Sequence, residues 1–296
     1  MLQHTGNQET SYSNLQNSLL KSITTGNATT MERIIIQAAE ALRNAQSSGK
    51  LIPPIRDTFR GLNVNDAYAI QKTNIDLELS QGARIVGSKI GLTSAAVRKQ
   101  IGVDQPDYGV LLDHMECAEG EPIPMSRLRQ PKIEAEVAFI LGKDLDSPRP
   151  TVIDVIRAIE YVVPAFEIVG SRIENWNIGL VDTIADNASS SAYVLGTPLR
   201  KLEGLDLRDC VMTITSGSSA DGGRVLSSGD GAACLGNPLN AVVWLSRVMN
   251  ERGFPLKAGS LILSGALGPM VTVEPGETYK AHIKGLGDVT AVFATD

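Results

Sequence analysis

Histidine is scarce in this chain. Only His4, His114 and His282 occur among 296 residues. A catalytic triad or a multi-histidine metal site would have to be built from the last two, which disfavours chemistry that depends on imidazole. Cysteine is equally scarce. Cys117, Cys210 and Cys234 are widely spaced and form no CxxC, which reads as free thiols in a reducing cytoplasm. No apolar run reaches the ~20 residues needed to cross a bilayer, and no basic-then-apolar leader opens the chain. There is neither GxGxxG nor GxxxxGK[ST] to cradle a nucleotide phosphate. Aromatics make up 4% and the formal net charge is −6. With no basic stripe, these values argue against nucleic acid as a partner. Carboxylates, lysine and hydroxyls are left to carry any chemistry.

The composition changes along the chain. Residues 1–28 are rich in Gln, Asn, Ser and Thr and are expected to form a disordered N-terminal extension. Residues 29–85 are expected to form a helical N-terminal part. MERIIIQAAEALRNAQ (31–46) and NDAYAIQKTNIDLELS (65–80) carry apolar residues at helical spacing, the second with Asn63 or Asn65 as cap. Residues 86–296 are expected to form a β-rich catalytic body. RIVGSKIGLTS (84–94) reads as a strand running into a turn, and YVVPAFEIVGS (161–171) as a buried strand. Residues 208–216 and 223–227 read as a strand pair, and Gly-rich turns alternate with strands near the C-terminus. Helices are expected over 94–101, 151–161 and 237–252, and a polar stretch over 172–192. Helices first and strands later, without a βαβα rhythm, indicate α+β.

Residues 131–142 read PKIEAEVAFILG. On a strand Glu134 and Glu136 share a face, and like charges so close either point into water or hold a cation between them. Glu167 lies in the next candidate strand. If the two strands are neighbours, three glutamates meet in a hard-oxygen site suited to Mg2+ or Mn2+; otherwise the pair is one edge of a solvated face. Lys89, in GSKIGLTS, either reaches into a cleft or lies on the surface. Asp107, in DQPDYG, sits where Asp commonly stabilises a turn. Asp186, Asn187, Ser189 and Ser190 form a polar cluster that binds substrate oxygens or caps a helix. Ser264 and Gly265 end a strand in a turn that either holds an anion through its N–H groups or is an ordinary β-turn. His114 and His282 read as structural or surface residues.

Several segments together resemble one family. They are SKIGLTSAAVRKQIGVDQPDYGVL, PKIEAEVAFILGKDL, PAFEIVGSRIENW, DTIADNASSSAYVLG, GNPLNAVVWL and LSGALGPMVTVEPGETY. Over residues 31–295 the chain resembles the 2-keto-4-pentenoate (2-hydroxypenta-2,4-dienoate) hydratase branch of the fumarylacetoacetate hydrolase superfamily. The resemblance implies a mixed β-roll body with a smaller N-terminal α/β part, assembled as a homo-oligomer. It implies Mg2+ or Mn2+ held by Glu134, Glu136 and Glu167, acid/base work by Lys89 and Asp107, and a substrate-side role for Ser189. The implied reaction is hydration of a small 2-hydroxydienoate in meta-cleavage degradation of an aromatic compound, in the cytoplasm. Two other chemistries of the superfamily are open: 2-oxo-3-hexenedioate (4-oxalocrotonate) decarboxylation, and C–C bond hydrolysis, which needs a His–Glu type pair. A catalytically inactive scaffold is a different class of reading, and association with a pathway decarboxylase or aldolase is conceivable. One departure stands out: where the family often has EIVDSRI or EIIDSRI, this chain has Gly170 for the acid. If that acid supports the metal's surroundings, metal affinity or substrate choice differs here.

Overall fold

Two capping boxes open the first long helices of the described residues. Thr29 accepts from the Glu32 N–H while the Glu32 carboxylate accepts from the Thr29 N–H, which opens α1 (Thr30–Ser48). After a single turn, α2 (Ile55–Thr58), the same device built from Asn63 and Asp66 opens α3 (Val64–Ser80). The computed structural model describes residues 29–197, 199–217 and 223–296; the expected extension, 1–28, lies outside them. The chain continues through β1 (Ile85–Gly91), α4 (Ala95–Ile101), β2 (Asp107–Leu112), β3 (Glu116–Cys117), β4 (Pro122–Ile123), β5 (Lys132–Leu141), α5 (Val152–Ala158) and β6 (Ile159–Val169). Then come α6 (Leu180–Ala185), β7 (Ser190–Leu195), β8 (Val211–Ser216), β9 (Arg224–Asp230), α7 (Pro238–Glu251), β10 (Leu261–Ala266), β11 (Val271–Thr272), β12 (Thr278–Ile283) and β13 (Gly287–Phe293).

The strands form two sheets. The larger runs β2-β1-β10-β5-β6-β7-β3, with β11 added beside β5; the smaller runs β4-β13-β12-β8-β9. The large sheet is mixed: β1 pairs with β10 and β3 with β7 in parallel, and its other pairs are antiparallel. It also curls. The Asn187 side chain, just before β7, makes both amide hydrogen bonds to the backbone of Val110 on β2, at 2.8 and 2.9 Å. Opposite ends of the sheet thus meet, and the sheet becomes a roll. Along β5 the period of two separates its faces. Ile133, Ala135, Val137, Phe139 and Leu141 enter the main core with α1, α3 and the small sheet. Glu134, Glu136 and Ala138 face the interior of the roll, whose apolar end is filled by Ala138, Val163, Ala165, Tyr193, Leu261 and Leu263. The chain is α+β with a curled sheet, as expected.

Local boundaries moved where pairing overrode helical pattern. The helix expected over 151–161 stops at Ala158, because Ile159 and Tyr161 pair with Leu141 and Ile140 of β5. The stretch 172–192 holds α6 and the start of β7. The N-terminal helices place Ala38, Leu42, Ala67 and Ile70 in the same core as β5 and β6. No helix among the described residues is long and apolar enough to cross a membrane.

Candidate active site

The site begins with the pairing of β5 and β6. Their antiparallel register puts Glu134 directly opposite Glu167, and Glu136 follows Glu134 on the same face. One carboxylate oxygen from each of the three lies within 4.8 Å of the others. Glu136 and Glu167 are both 0% exposed, and Glu134 is partly exposed. The Gly265 N–H donates to Glu136 Oε2 at 2.8 Å. Glu136 Oε1 and both oxygens of Glu167 accept no hydrogen bond. Leaving such acceptors buried and unpaired costs about 1–3 kcal/mol each. Burial, then the charge of Glu167, pushes the Glu134 carboxyl up to about 7, and the same causes hold Glu136 well above the usual carboxylate range. Three converging carboxylates with orphaned lone pairs fit a hard divalent cation, Mg2+ or Mn2+.

Lys89 reaches the cluster from across the roll. Its strand, β1, is three places from β6 in the sheet order, roughly 14 Å along a flat sheet, yet its Nζ lies 3.3 Å from Glu167 Oε2. Only the curl allows this. The contact is an ion pair whose angles fall outside those of a hydrogen bond; the ammonium's hydrogen bond goes to the Ala188 carbonyl at 2.7 Å. Lys89 is 3% exposed. Burial alone would lower its pKa, but Glu167, Asp107, Glu134 and Glu136 outweigh burial and raise it. The carboxylates around it thus favour the charged form of Lys89.

Asp107 opens β2 opposite Gly91. A Cβ at Gly91 would strike Asp107 Oδ1, so the glycine lets the carboxylate fold back towards Lys89. The Thr183 hydroxyl, on α6, donates to Asp107 Oδ2 at 3.2 Å and lies 3.3 Å from the Ser189 hydroxyl. Asp107 Oδ1 has no hydrogen-bond partner. Burial raises the Asp107 pKa, against the opposing charge of Lys89. Asp107 is thus a carboxyl that can hold a proton beside a fixed cation.

Asn187, Ala188 and Ser189 all lie in the left-handed region, with φ of 55°, 50° and 58°. Three such non-glycine residues in succession cost of order 1 kcal/mol each or more. The clamp of the Asn187 amide on Val110 holds the turn, and the turn aims the Ala188 carbonyl at Lys89. The polar cluster expected at 186–190 therefore divides. Asp186 accepts from the Arg172 backbone N–H at 3.0 Å and pairs with its guanidinium, whereas Asn187 clamps Val110 and Ser189 lies against the Thr183 hydroxyl. Thr183 and the clamping role of Asn187 are additions from the structure. Neither carries a local signal in sequence.

Of the expected residues, Glu134, Glu136, Glu167, Lys89, Asp107 and Ser189 come together. The Gly265 N–H is directed at an anion, but that anion is the chain's own Glu136. Ser264 is buried, its hydroxyl turned to the Gly265 carbonyl and its own carbonyl accepting from the Cys234 thiol. His282 sits exposed beside Asp288, and His114 is exposed.

Residues 93–294 match the family model described as Fumarylacetoacetate (FAA) hydrolase C-terminal. The chain belongs to the fumarylacetoacetate hydrolase family. Within the family it is 55% identical over 260 residues to the 2-keto-4-pentenoate hydratase of Paraburkholderia xenovorans (strain LB400), covering 88% of this chain and 95% of the relative. It is 52% identical over 258 residues to the TodF product hydratase of Pseudomonas putida F1, covering 87% and 94%. Among solved structures it resembles the 4-oxalocrotonate decarboxylase of Pseudomonas putida G7, complexed with magnesium and adipate. There the TM-score is 0.84 at 36% identity, over 90% of this chain and 99% of that one. Against the family pattern EIVDSRI, Gly170 has a steric reason. A Cβ there would lie 2.6 Å from Ser191 Oγ and 2.7 Å from the Arg129 carbonyl. The Ser191 hydroxyl accepts from Arg172 at 3.0 Å, so the volume an acid would enter is already in use.

Proposed function

We propose that this chain is a metal-dependent hydratase. It adds water to 2-hydroxypenta-2,4-dienoate, through the 2-oxo-3-enoate tautomer, to give 4-hydroxy-2-oxopentanoate. The observation that carries the reading is the facing of Glu134, Glu136 and Glu167 by Lys89 and Asp107 inside one roll, in a chain about half identical to named hydratases. A Mg2+ or Mn2+ ion held by the three glutamates would supply Lewis-acid stabilisation of negative charge at the substrate's 2-oxygen.

The remaining work falls to the chain. The first stage loses a proton from the 2-hydroxyl and gains one at C5. The second adds water oxygen at C4 and a proton at C3. Asp107, its pKa raised by burial, is the group that carries protons, taking one from water and returning one to carbon. Thr183 fixes one Asp107 oxygen, which leaves the unpartnered Oδ1 to take and return the proton. Lys89 keeps its proton and balances the negative charge that develops. Each positioned acid or base contributes ~10²–10⁴-fold. The buried residues around Ala138 and Val163 exclude bulk water from the hydrocarbon end.

Decarboxylation of 2-oxo-3-hexenedioate is the second reading, favoured by the likeness to the decarboxylase structure. It would place a second carboxylate in the interior. Among the described residues the buried cations are Lys89 and Arg172, and Arg172 is committed to Asp186. The same proposal includes a cytoplasmic homo-oligomer and association with a decarboxylase or aldolase of the same degradative route. Val152, Ile153 and Ile156, exposed together on α5, offer an apolar contact face.

The test mixes metal-loaded protein with freshly generated 2-hydroxypenta-2,4-dienoate, follows loss of dienol absorbance and weighs the product. A gain of one water, lost with EDTA and restored by Mg2+ or Mn2+, supports the hydratase. Release of CO2 from 2-oxo-3-hexenedioate without hydration replaces it with the decarboxylase.

A further inference from the structure

Lys132 opens β5 two residues before Glu134, so the strand's period places it on the carboxylate face. Along that face Lys132 and Glu134 are partly exposed and Glu136 is fully buried. Exposure along that face therefore falls from the Lys132 end towards Glu136. The Lys132 ammonium lies 4.6 Å from the centroid of the Trp176 ring. The Trp176 indole N–H donates to the Gln130 carbonyl at 3.1 Å. The Gln130 amide in turn donates to the carbonyls of Ser171 and Ile173, at 2.9 and 2.7 Å. Gln130, Asn175 and Trp176 are held at φ of 49°, 57° and 53°. Three left-handed non-glycine residues around one indole are costly, and their effect is to fix one lysine at the more exposed end of the carboxylate face. A lysine stem merely covering an indole would need no such platform.

A charge inventory shows what this cation is for. Glu134, Glu136, Glu167 and Asp107 bring four negative charges when ionised, while Lys89 and a divalent ion bring three positive ones. With all four carboxylates ionised the loaded site carries one net negative charge, and the substrate is itself an anion. Field lines in a low-dielectric cleft are focused towards its mouth, so a cation there acts where an approaching carboxylate first feels the site.

We propose that Lys132, positioned by Trp176, is the cation that draws the substrate's carboxylate into the site and holds it there. The proposal rests on the hydratase reading for its substrate, and gives Lys132 a binding role with no part in proton transfer.

The probe is oxalate, an unreactive dicarboxylate, titrated calorimetrically into Mg2+-loaded wild type, Lys132→Met, Lys132→Arg and Trp176→Leu at several ionic strengths. Lys132→Met is expected to weaken oxalate ~10-fold at low salt and to flatten the salt dependence, and Lys132→Arg to restore both. Trp176→Leu is expected to fall between. In turnover, KM should rise ~10-fold with kcat within about twofold of wild type. Mn2+ affinity, read by electron paramagnetic resonance, should be unchanged or tighter in Lys132→Met. Wild-type oxalate affinity and salt dependence in Lys132→Met would overturn the proposal, as would loss of Mn2+ binding, which would place the residue in the metal site's architecture. Oxalate binding needs no turnover. A wild type that failed to hydrate the dienoate would sink the hydratase reading, and the titration would still decide the role of Lys132.

Discussion

Replacing Glu136 by glutamine should move stability in opposite directions with and without metal. In the metal-free protein Glu136 is fully buried and no more than 4.8 Å separates its nearest oxygen from those of Glu134 and Glu167. Two unit charges at that distance repel by ~3 kcal/mol at an effective dielectric of about 20. Because burial already pushes Glu134 and Glu136 towards the neutral form, the relief realised near neutral pH should be smaller, about 1–2 kcal/mol. Glutamine keeps an oxygen for the Gly265 N–H and offers an amide to Glu167, whose oxygens accept no hydrogen bond. The metal-free Tm of Glu136→Gln should therefore rise, by roughly 2–5 °C for a chain of this size. With Mg2+ at 100 times its Kd the wild type should gain ~2.7 kcal/mol, and the variant almost none, because one of three anionic ligands is gone. Differential scanning calorimetry after EDTA treatment, with and without added Mg2+, reads both effects. A lower metal-free Tm in the variant, or an undiminished Mg2+ shift, would refute the reasoning.

Asp107→Asn retains an acceptor for Thr183 but cannot carry a proton; kcat should fall ~10²–10⁴-fold with metal content intact, as turnover assays beside metal analysis would show. Asn187→Ala removes both hydrogen bonds that hold the left-handed turn and should cost about 1–3 kcal/mol in denaturant unfolding, with a fall in kcat as the Ala188 carbonyl leaves Lys89. Gly170→Asp puts a Cβ against Ser191 and the Arg129 carbonyl and should destabilise by about 1–3 kcal/mol; equal or greater stability would show that the pocket opens. The raised pKa of Glu134 means that the metal-free fold binds a proton which the unfolded chain has released, between the ordinary carboxylate value and about 7. That contribution is full at low pH and is lost as pH rises towards about 7, while Mg2+ must displace the proton. The Mg2+-induced Tm shift should accordingly grow from about pH 5 to about pH 8 and then level off.

The sequence carried what is local. The two-residue period of β5 put Glu134 and Glu136 on one face, and Asn63 and Ser94 were readable at the starts of their helices. Glu167 was readable only as a candidate, since cross-strand register comes from pairing over many residues. From their local sequence alone Lys89 and Asp107 read better as a surface lysine and a turn aspartate. Their burial depends on closure of the sheet, which joins residues far apart in the chain. The resemblance to a known family implied uses for these residues that spacing left open. Thr183 lay without a mark of its own in the polar stretch 172–192, and the Lys132–Trp176 contact links two segments whose meeting no periodicity signals. Ile159–Tyr161 misled because the apolar spacing of α5 continues smoothly into β6, and only pairing with β5 marks the boundary.

The position of the three glutamates in the chain has a kinetic consequence. All lie on one antiparallel strand pair, β5 and β6, joined by a short connection that includes α5. Lys89, Asp107 and the 187–189 turn arrive only when β1, β2 and β7 bring the two ends of the roll together. Short loops close early and distant ones late. The three glutamates are therefore expected to come together before Lys89 and Asp107 join them, and a divalent ion held by these carboxylates would meet them while the rest of the site is still unbuilt.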